Sequence, residues 1–246
     1  MNIIVCIDDT DNLESPGTGH LAADLKGDIE KLWGGKTSLI SRHQLFVSPE
    51  VPYTSHNSSM CFRADLSLEY LDEMIAYAGE FLERRGAEGS DPGLCVVVPE
   101  KLKNYEELIS FGRDATCRVL TKKNAWSLAA DLDVHLSEHG GTGDGIIGAL
   151  AGVGLRLYGN NGRFKGWHDV PDERRRICAG ELCKDFDIDE IRSVEGQKLD
   201  DSEELFLKDK IKTVLLDHKS VLLVHQVSDE KGPVWQNIPK EEVKKY

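Results

Sequence analysis

Asp8, Asp9 and Asp11 put three carboxylates within four residues, directly after the apolar run Ile3-Ile4-Val5-Cys6-Ile7. Such charges repel one another unless a cation stands among them. Oxygen-preferring Mg²⁺ suits the cluster and would link it to nucleotide phosphates. Thr10 lies inside the cluster. An acidic turn in solvent is the plainer reading. A second group is Gly143-Asp144-Gly145-Ile146-Ile147-Gly148. Its letters match a dinucleotide-binding pattern, but that pattern needs a preceding strand and a helix is expected there. What remains is glycines that let backbone N–H groups approach an anion, ahead of the positive end of a helix. A tight helix–helix turn is the alternative. A third is Gly17-Thr18-Gly19-His20. Its hydroxyl either caps the next helix or contacts or accepts phosphate, with Gly17 and Gly19 leaving the backbone open to phosphate oxygens.

Two other groups read as structural. His135-Leu136-Ser137-Glu138-His139 spells the inverted zinc-protease motif, but Gly140-Gly141 leave no helix to hold His139 as a ligand. Arg174-Arg175-Arg176, with Arg163 and Lys165 upstream, reads as a solvated helix face, with a phosphate or tRNA contact as the sharper alternative.

Elements must carry these groups. Residues 2–7 read as a buried strand ending in the acids, where open α/β sheets hold their ligands. Leu21, Leu25, Ile29 and Leu32 predict a helix over 18–33. Strands are expected over 37–47 and 59–65, with a polar loop between them. Leu68, Leu71, Ile75, Ala78 and Leu82 predict a helix over 67–85, capped by Ser67 and stopped by Gly86. Leu94 to Val98 reads as a strand. A helix over 122–138 is expected, capped by Thr121 and ended by Gly140-Gly141. A small-residue helix then runs from Ile146 to about Val153. Beyond Gly166 the chain turns acidic, and Val214–Leu216 and Val221–Val224 look like strands of an appended unit beginning near Pro171.

The chain has 246 residues, 30 of them Lys or Arg and 43 Asp or Glu, for a net charge of −13. That balance repels phosphate backbones unless the basic residues gather on one face. No apolar run reaches the length of a membrane span, and the N-terminus lacks the marks of a signal peptide. A cytoplasmic protein is expected. Of six cysteines, Cys6, Cys61 and Cys95 sit in apolar runs and read as buried free thiols, and only Cys178 and Cys183 are close in sequence. A structural zinc is not expected.

Taken in order, Asp8-Asp9-Thr10-Asp11, Thr18 and Leu21-Ala22, Val51-Pro52-Tyr53, Asn57, Phe62, Asp91-Pro92-Gly93 and Gly143 to Leu150 resemble the archaeal tRNA-isoleucine agmatidine synthetase family. The resemblance covers roughly residues 1–155. It implies an α/β fold in which a kinase-like core is combined with a ferredoxin-like α+β element. It also implies an enzyme that uses ATP and Mg²⁺ to phosphorylate the 2-carbonyl of an anticodon cytidine, after which agmatine displaces the phosphate. By the same resemblance Thr18 takes the place of a phosphorylated threonine, and Asp8, Asp9 and Asp11 form the metal–phosphate site. Thr10, Gly17, Gly19, Asn57, Gly143, Asp144, Gly145 and Gly148 then contact the nucleotide. The pattern departs at Gly17 and Gly19, where the family has Cys and Thr, and one residue is missing between Tyr53 and Asn57. The OB-fold and zinc ribbon that help the family hold tRNA are not expected in this stretch, which has no paired C-x-x-C motifs.

The expectation is a core with its ferredoxin-like element over 1–170 and a small α+β unit over 171–246. Its function is ATP- and Mg²⁺-dependent phosphoryl transfer that activates a carbonyl or hydroxyl oxygen of a small molecule or nucleoside, in the manner of a kinase or ligase. tRNA as a partner is not favoured on charge. Three rivals stand beside it. One is a tRNA-modifying enzyme working with a separate RNA-binding partner. Another is a non-catalytic nucleotide-binding regulator. The third is a dehalogenase-type phosphatase, whose pattern fails at Leu13.

Overall fold

The alternation along the first strand sets the architecture. In β1 (Asn2–Asp8), Ile3, Val5 and Ile7 face one side of a sheet, while Ile4, Cys6 and Asp8 face the other. The computed structural model describes residues 1–51, 56–229 and 232–246. Pro52 and Tyr53 of the Val51-Pro52-Tyr53 segment therefore lie outside the described residues. The chain divides into two compact units, Met1–Tyr158 and Gly159–Tyr246. Residues 159–170, grouped with the first segment from sequence, pack in the second.

After β1 the first unit runs α1 (Thr18–Trp33), β2 (Lys36–Thr37), β3 (Ser41–Gln44), β4 (Ser58–Asp65) and α2 (Leu71–Arg85). It continues through β5 (Gly93–Val97), α3 (Tyr105–Asp114), α4 (Lys122–Leu132), β6 (His135–Glu138) and α5 (Gly145–Tyr158). The strand order is β6-β5-β1-β4-β3, with β2 beside β4. Every one of these pairings is antiparallel. The structure is mixed α/β, as expected, but the rule for ligands at the ends of parallel strands does not apply. Asp8 is placed by a different device.

Ile3, Val5 and Ile7 pack with Leu21, Leu25 and Ile29 of α1 and Met74, Ala78 and Leu82 of α2. Ile4, Cys6, Cys61 and Cys95 pack under α3, α4 and α5. α1 has the bounds the periodicity predicts, except that Leu32 is 52% exposed, because the helix has reached the edge of its sheet contact. The strand expected over 37–47 is two short strands. The helix expected from Ser67 opens as a 3-10 turn, Leu68–Tyr70, whose Leu68 is exposed. Its buried face is Met74, Ala78, Phe81 and Leu82.

The helix expected over 122–138 is overturned. α4 keeps its predicted cap: the Thr121 side chain accepts from Asn124 N, and Asn124 answers the Thr121 backbone. It ends at Asp133, whose φ of 55° is left-handed, and His135–Glu138 turns into β6 alongside β5. Leu132 and Leu136 fit both periods, so helical spacing alone misreads this stretch. α3 has no counterpart in the sequence reading. Its signal is Asn104, which caps Glu106 N and bonds Glu107.

The second unit comprises β7 (Arg163–Phe164), β8 (His168–Asp169), β9 (Arg176–Cys178), α6 (Ala179–Phe186) and β10 (Glu190–Ser193). It continues with β11 (Glu204–Phe206), β12 (Lys210–Ile211), β13 (Val214–Leu216), β14 (Lys219–Asp229), β15 (Gly232–Asn237) and α7 (Lys240–Val243). Its sheet runs β7-β13-β14-β15-β11-β9, with β10 parallel to β14, and β12 pairs β8 separately. β13 and β14 are the two apolar strands read from sequence.

Candidate functional site

Asp8 shares a sheet face with Cys6, and α5 lies across both. A Cβ on Gly152 would overlap Cys6 Sγ, and one on Gly148 would overlap Asp8 Oδ2. The two glycines are about one helical turn apart, matching the two-residue step from Cys6 to Asp8. Glycine at 148 therefore makes the space in which the Asp8 carboxylate lies, at the first turn of α5. The Gly-rich segment is preceded by a strand and not by a helix, yet β6 is antiparallel to β5, so no dinucleotide-type β-α-β unit forms. Its glycines serve close packing of α5 on the sheet.

The acids form a strongly coupled group. Asp8 is 8% exposed, and burial, reinforced by Asp9 and Asp11, raises its pKa to about 8. Asp9, with a left-handed φ of 50°, is raised to about 6 by burial and by Asp91, Asp11 and Asp144. Asp91 is held by the Gly-rich loop: Thr142 Oγ1 donates to its Oδ2 at 2.9 Å, and Thr142 N donates to its Oδ1. Thr18 is 6% exposed and is the first residue of α1, while Gly17 occupies the capping position without a side-chain bond. The Thr18 hydroxyl instead donates to Asp11 Oδ1 at 3.2 Å and accepts from Thr10 N at 3.4 Å. Simple capping does not describe it.

A cleft of about 470 Å³ opens over this group, a size suited to one small ligand. Asp8, Asp9, Asp11, Thr18, Asn57, Asp144, Gly145 and Gly148 all line it. Of the remaining expected residues, Thr10, Gly17, Gly19 and Gly143 are not in the lining. Thr10 is buried, and its Oγ1 has no hydrogen-bond partner among the described residues. Asn57 shapes the wall: its Nδ2 donates to Phe46 O at 2.7 Å.

Part of the lining has no counterpart in the sequence reading. It includes Arg118, Lys122 and Lys123, around the capped start of α4, together with apolar Phe46, Val119 and Leu120. Lys122 is braced at 2.8 Å by Glu138 and at 2.6 Å by Thr142 O, and Arg118 pairs with Asp114. Three cations within six residues beside a helix cap was the signal available. One cleft is thus lined by carboxylates, by ammonium and guanidinium groups and by apolar side chains, a mixture suited to a phosphorylated ligand that carries a ring.

Among the described residues, no three His, Cys, Asp or Glu side chains are arranged as a ready metal-ligand set. That excludes a preformed three-carboxylate cage among them. Clustered carboxylates with raised pKa values are what a cation would relieve.

The other two groups are structural. His135, Ser137 and His139 lie along β6 and just beyond its end, facing α2 and away from Asp8. His135 Nε2 and His139 Nε2 bond Ser137 Oγ at 2.9 and 2.7 Å, and His139 Nδ1 meets Glu83 at 3.3 Å. The arginine run is no helix face: Arg174, Arg175 and Arg176 pair with Asp185, Asp172 and Glu204. All six cysteines are free, and Cys6, Cys61 and Cys95 are buried. Among the described residues, no helix is long and apolar enough to cross a membrane.

No family model matches the chain. Its fold is similar to that of TiaS in complex with an isoleucine tRNA and ATP, at a TM-score of 0.56 and 24% identity over 76% of this chain. It is similar to a tRNA fluorescent labeling enzyme at a TM-score of 0.54, also 24% identical over 76% of the chain. The chain spans 44% of each of those proteins. Against apo TiaS, an isoleucine-tRNA agmatidine synthetase, the TM-score is 0.56 at 18% identity, covering 96% of this chain and 70% of that one. The fold implied by the sequence resemblance is the fold this chain has. Over an alignment of 95 residues, 36% of the chain is 35% identical to uracil phosphoribosyltransferase of Cutibacterium acnes, spanning 38% of that protein. That stretch is too short to assign either fold or activity.

Proposed function

We propose that the first unit is the catalytic part of an ATP-using, RNA-modifying enzyme related to tRNA-isoleucine agmatidine synthetase. It transfers the γ-phosphoryl group of ATP to a carbonyl or hydroxyl oxygen of a nucleoside and releases ADP. The observation that carries this is the single cleft lined both by Asp8, Asp9, Asp11 and Thr18 and by Arg118, Lys122 and Lys123. The likeness to a TiaS complex holding ATP and tRNA supports it. Asp8, Asp9 and Asp11 are the residues that would hold Mg²⁺, which would supply neutralisation of phosphate charge.

The chain's own residues supply position and charge, which are most of the catalysis in phosphoryl transfer. Arg118 and Lys123 supply positive charge for the phosphate chain, and Asp8 and Asp11 line the same cleft. Asp11 holds the Thr18 hydroxyl as a bond acceptor, in the orientation needed to accept a phosphoryl group or to steer one. Asp9, raised to about 6, is poised to take a proton near neutral pH. Val119, Leu120 and Phe46 exclude water and offer a surface for the base.

The test is transfer of label from γ-³²P-ATP, with Mg²⁺, to an isoleucine tRNA transcript or to Thr18 itself, located by nuclease digestion and peptide mapping. Label on RNA or on Thr18 supports the reading. Release of free phosphate only, unchanged in Asp11→Asn, contradicts it.

A further inference from the structure

The net charge of −13 speaks against RNA only if the cations are dispersed, and in the second unit they are not. Trp167 lies at a cleft of about 570 Å³ whose rim carries Lys208, Lys210 and Lys240, with His225 among the other lining residues. Lys212 Nζ stands 5.1 Å and Lys240 Nζ 5.7 Å from the centre of the same indole ring. Lys212 Nζ also donates to Gly166 O at 2.9 Å, so it is held in place beside the indole. Asp209 also lines the cleft, and Lys210 is engaged by Asp169 at 3.0 Å. Lys208 and Lys240, both exposed, have no acidic partner among the described residues.

We infer that this cleft binds the phosphodiester backbone of a single-stranded stretch of RNA, with Trp167 as the surface on which a base stacks. An indole set among ammonium groups is the combination single-strand binding uses. Cations follow the backbone and the ring takes any base by its π-face. The cleft is distinct from the ATP-type site, and Asp209 is the one carboxylate among its described lining residues. The inference rests on the RNA half of the proposed function and not on its phosphoryl-transfer half.

The experiment titrates the full chain with a fluorescein-labelled single-stranded 12-mer RNA, read by anisotropy across a salt series without ATP. Wild type is expected to bind with an affinity that falls steeply with salt. Lys208→Ala/Lys240→Ala should bind about tenfold more weakly and flatten the log–log salt slope by about 1.4, two phosphate contacts at about 0.7 each. Trp167→Ala should lose about tenfold, and Trp167→Tyr should recover most of it, which separates stacking from a folding defect. Equal affinity and slope in wild type and the double lysine variant would overturn the inference. So would saturable binding of inorganic phosphate at this cleft with no RNA binding, which would reassign it to free phosphate compounds. If ATP fails to bind while the lysine and Trp167 effects hold, the phosphoryl-transfer reading falls and this one stands.

Discussion

Asp8→Asn should make the ligand-free protein more stable, and increasingly so as pH rises. The carboxyl is buried against Gly148 among other acids, and its pKa stands at about 8 against an ordinary value of 3.8. A carboxyl raised on folding binds its proton more tightly in the native state. Its stabilising effect is complete below pH 3.8 and is lost as pH rises through about 8. At pH 7 the interval from 3.8 corresponds to a ceiling of about 4 kcal/mol, at about 1.4 kcal/mol per unit, before relaxation and water penetration reduce it. Asn is nearly isosteric and stays neutral, so the variant escapes the cost. Urea unfolding at pH 4.5, 6, 7 and 8 measures the difference between the two proteins. It should be small at pH 4.5 and reach about 1–4 kcal/mol in favour of Asn at pH 8. Mg²⁺ with ATP should then stabilise wild type and not the variant. A difference that does not change with pH, or a variant weaker at pH 8, would refute the buried, mutually repelling acids.

Thr18→Ala should cut phosphoryl transfer by at least about tenfold while ATP affinity stays within about threefold, since the hydroxyl acts on the transferring group more than on the bound nucleotide. Losing the buried hydroxyl that bonds Asp11 and Thr10 N should also cost about 1 kcal/mol and lower the melting temperature by a few degrees, too little to account for the rate loss; rate and melting scans on the same samples check both. Gly148→Ala would drive a methyl group onto the Asp8 carboxylate, so calorimetry should find Mg²⁺–ATP affinity reduced about tenfold or more. Helical circular dichroism should persist, with overpacking costing about 1–3 kcal/mol of stability.

β1 and α1 are legible because each carries one unambiguous period bounded by its own signals: an apolar run ending in acids, and a 3.6-residue stripe ended by Gly34 in the left-handed region. The stretch after Thr121 is not, because Leu132 and Leu136 satisfy both periods and Asp133 supplies the left-handed stop that glycine is expected to supply. Half of the candidate site comes from chemistry written locally, in Asp8-Asp9-Thr10-Asp11 and Gly143 to Gly148. The other half, Arg118, Lys122 and Lys123, comes from the connector before α4 and the first turn of α4, where the cations look like ordinary surface charge until the fold brings them into the same cleft as the acids. The glycines read as a phosphate cradle in the sequence, yet Gly148 proves to be the clearance for Asp8. Only the packing of α5 on β1 reveals that.

Calorimetry of the wild-type chain with ATP, in the presence of Mg²⁺ and again in EDTA, tests the central claim most directly. The account predicts one site that binds ATP with Mg²⁺, binds it much more weakly in EDTA, and loses the Mg²⁺ dependence in Asp11→Asn. Equal affinity with and without Mg²⁺, or no binding in either, would contradict it.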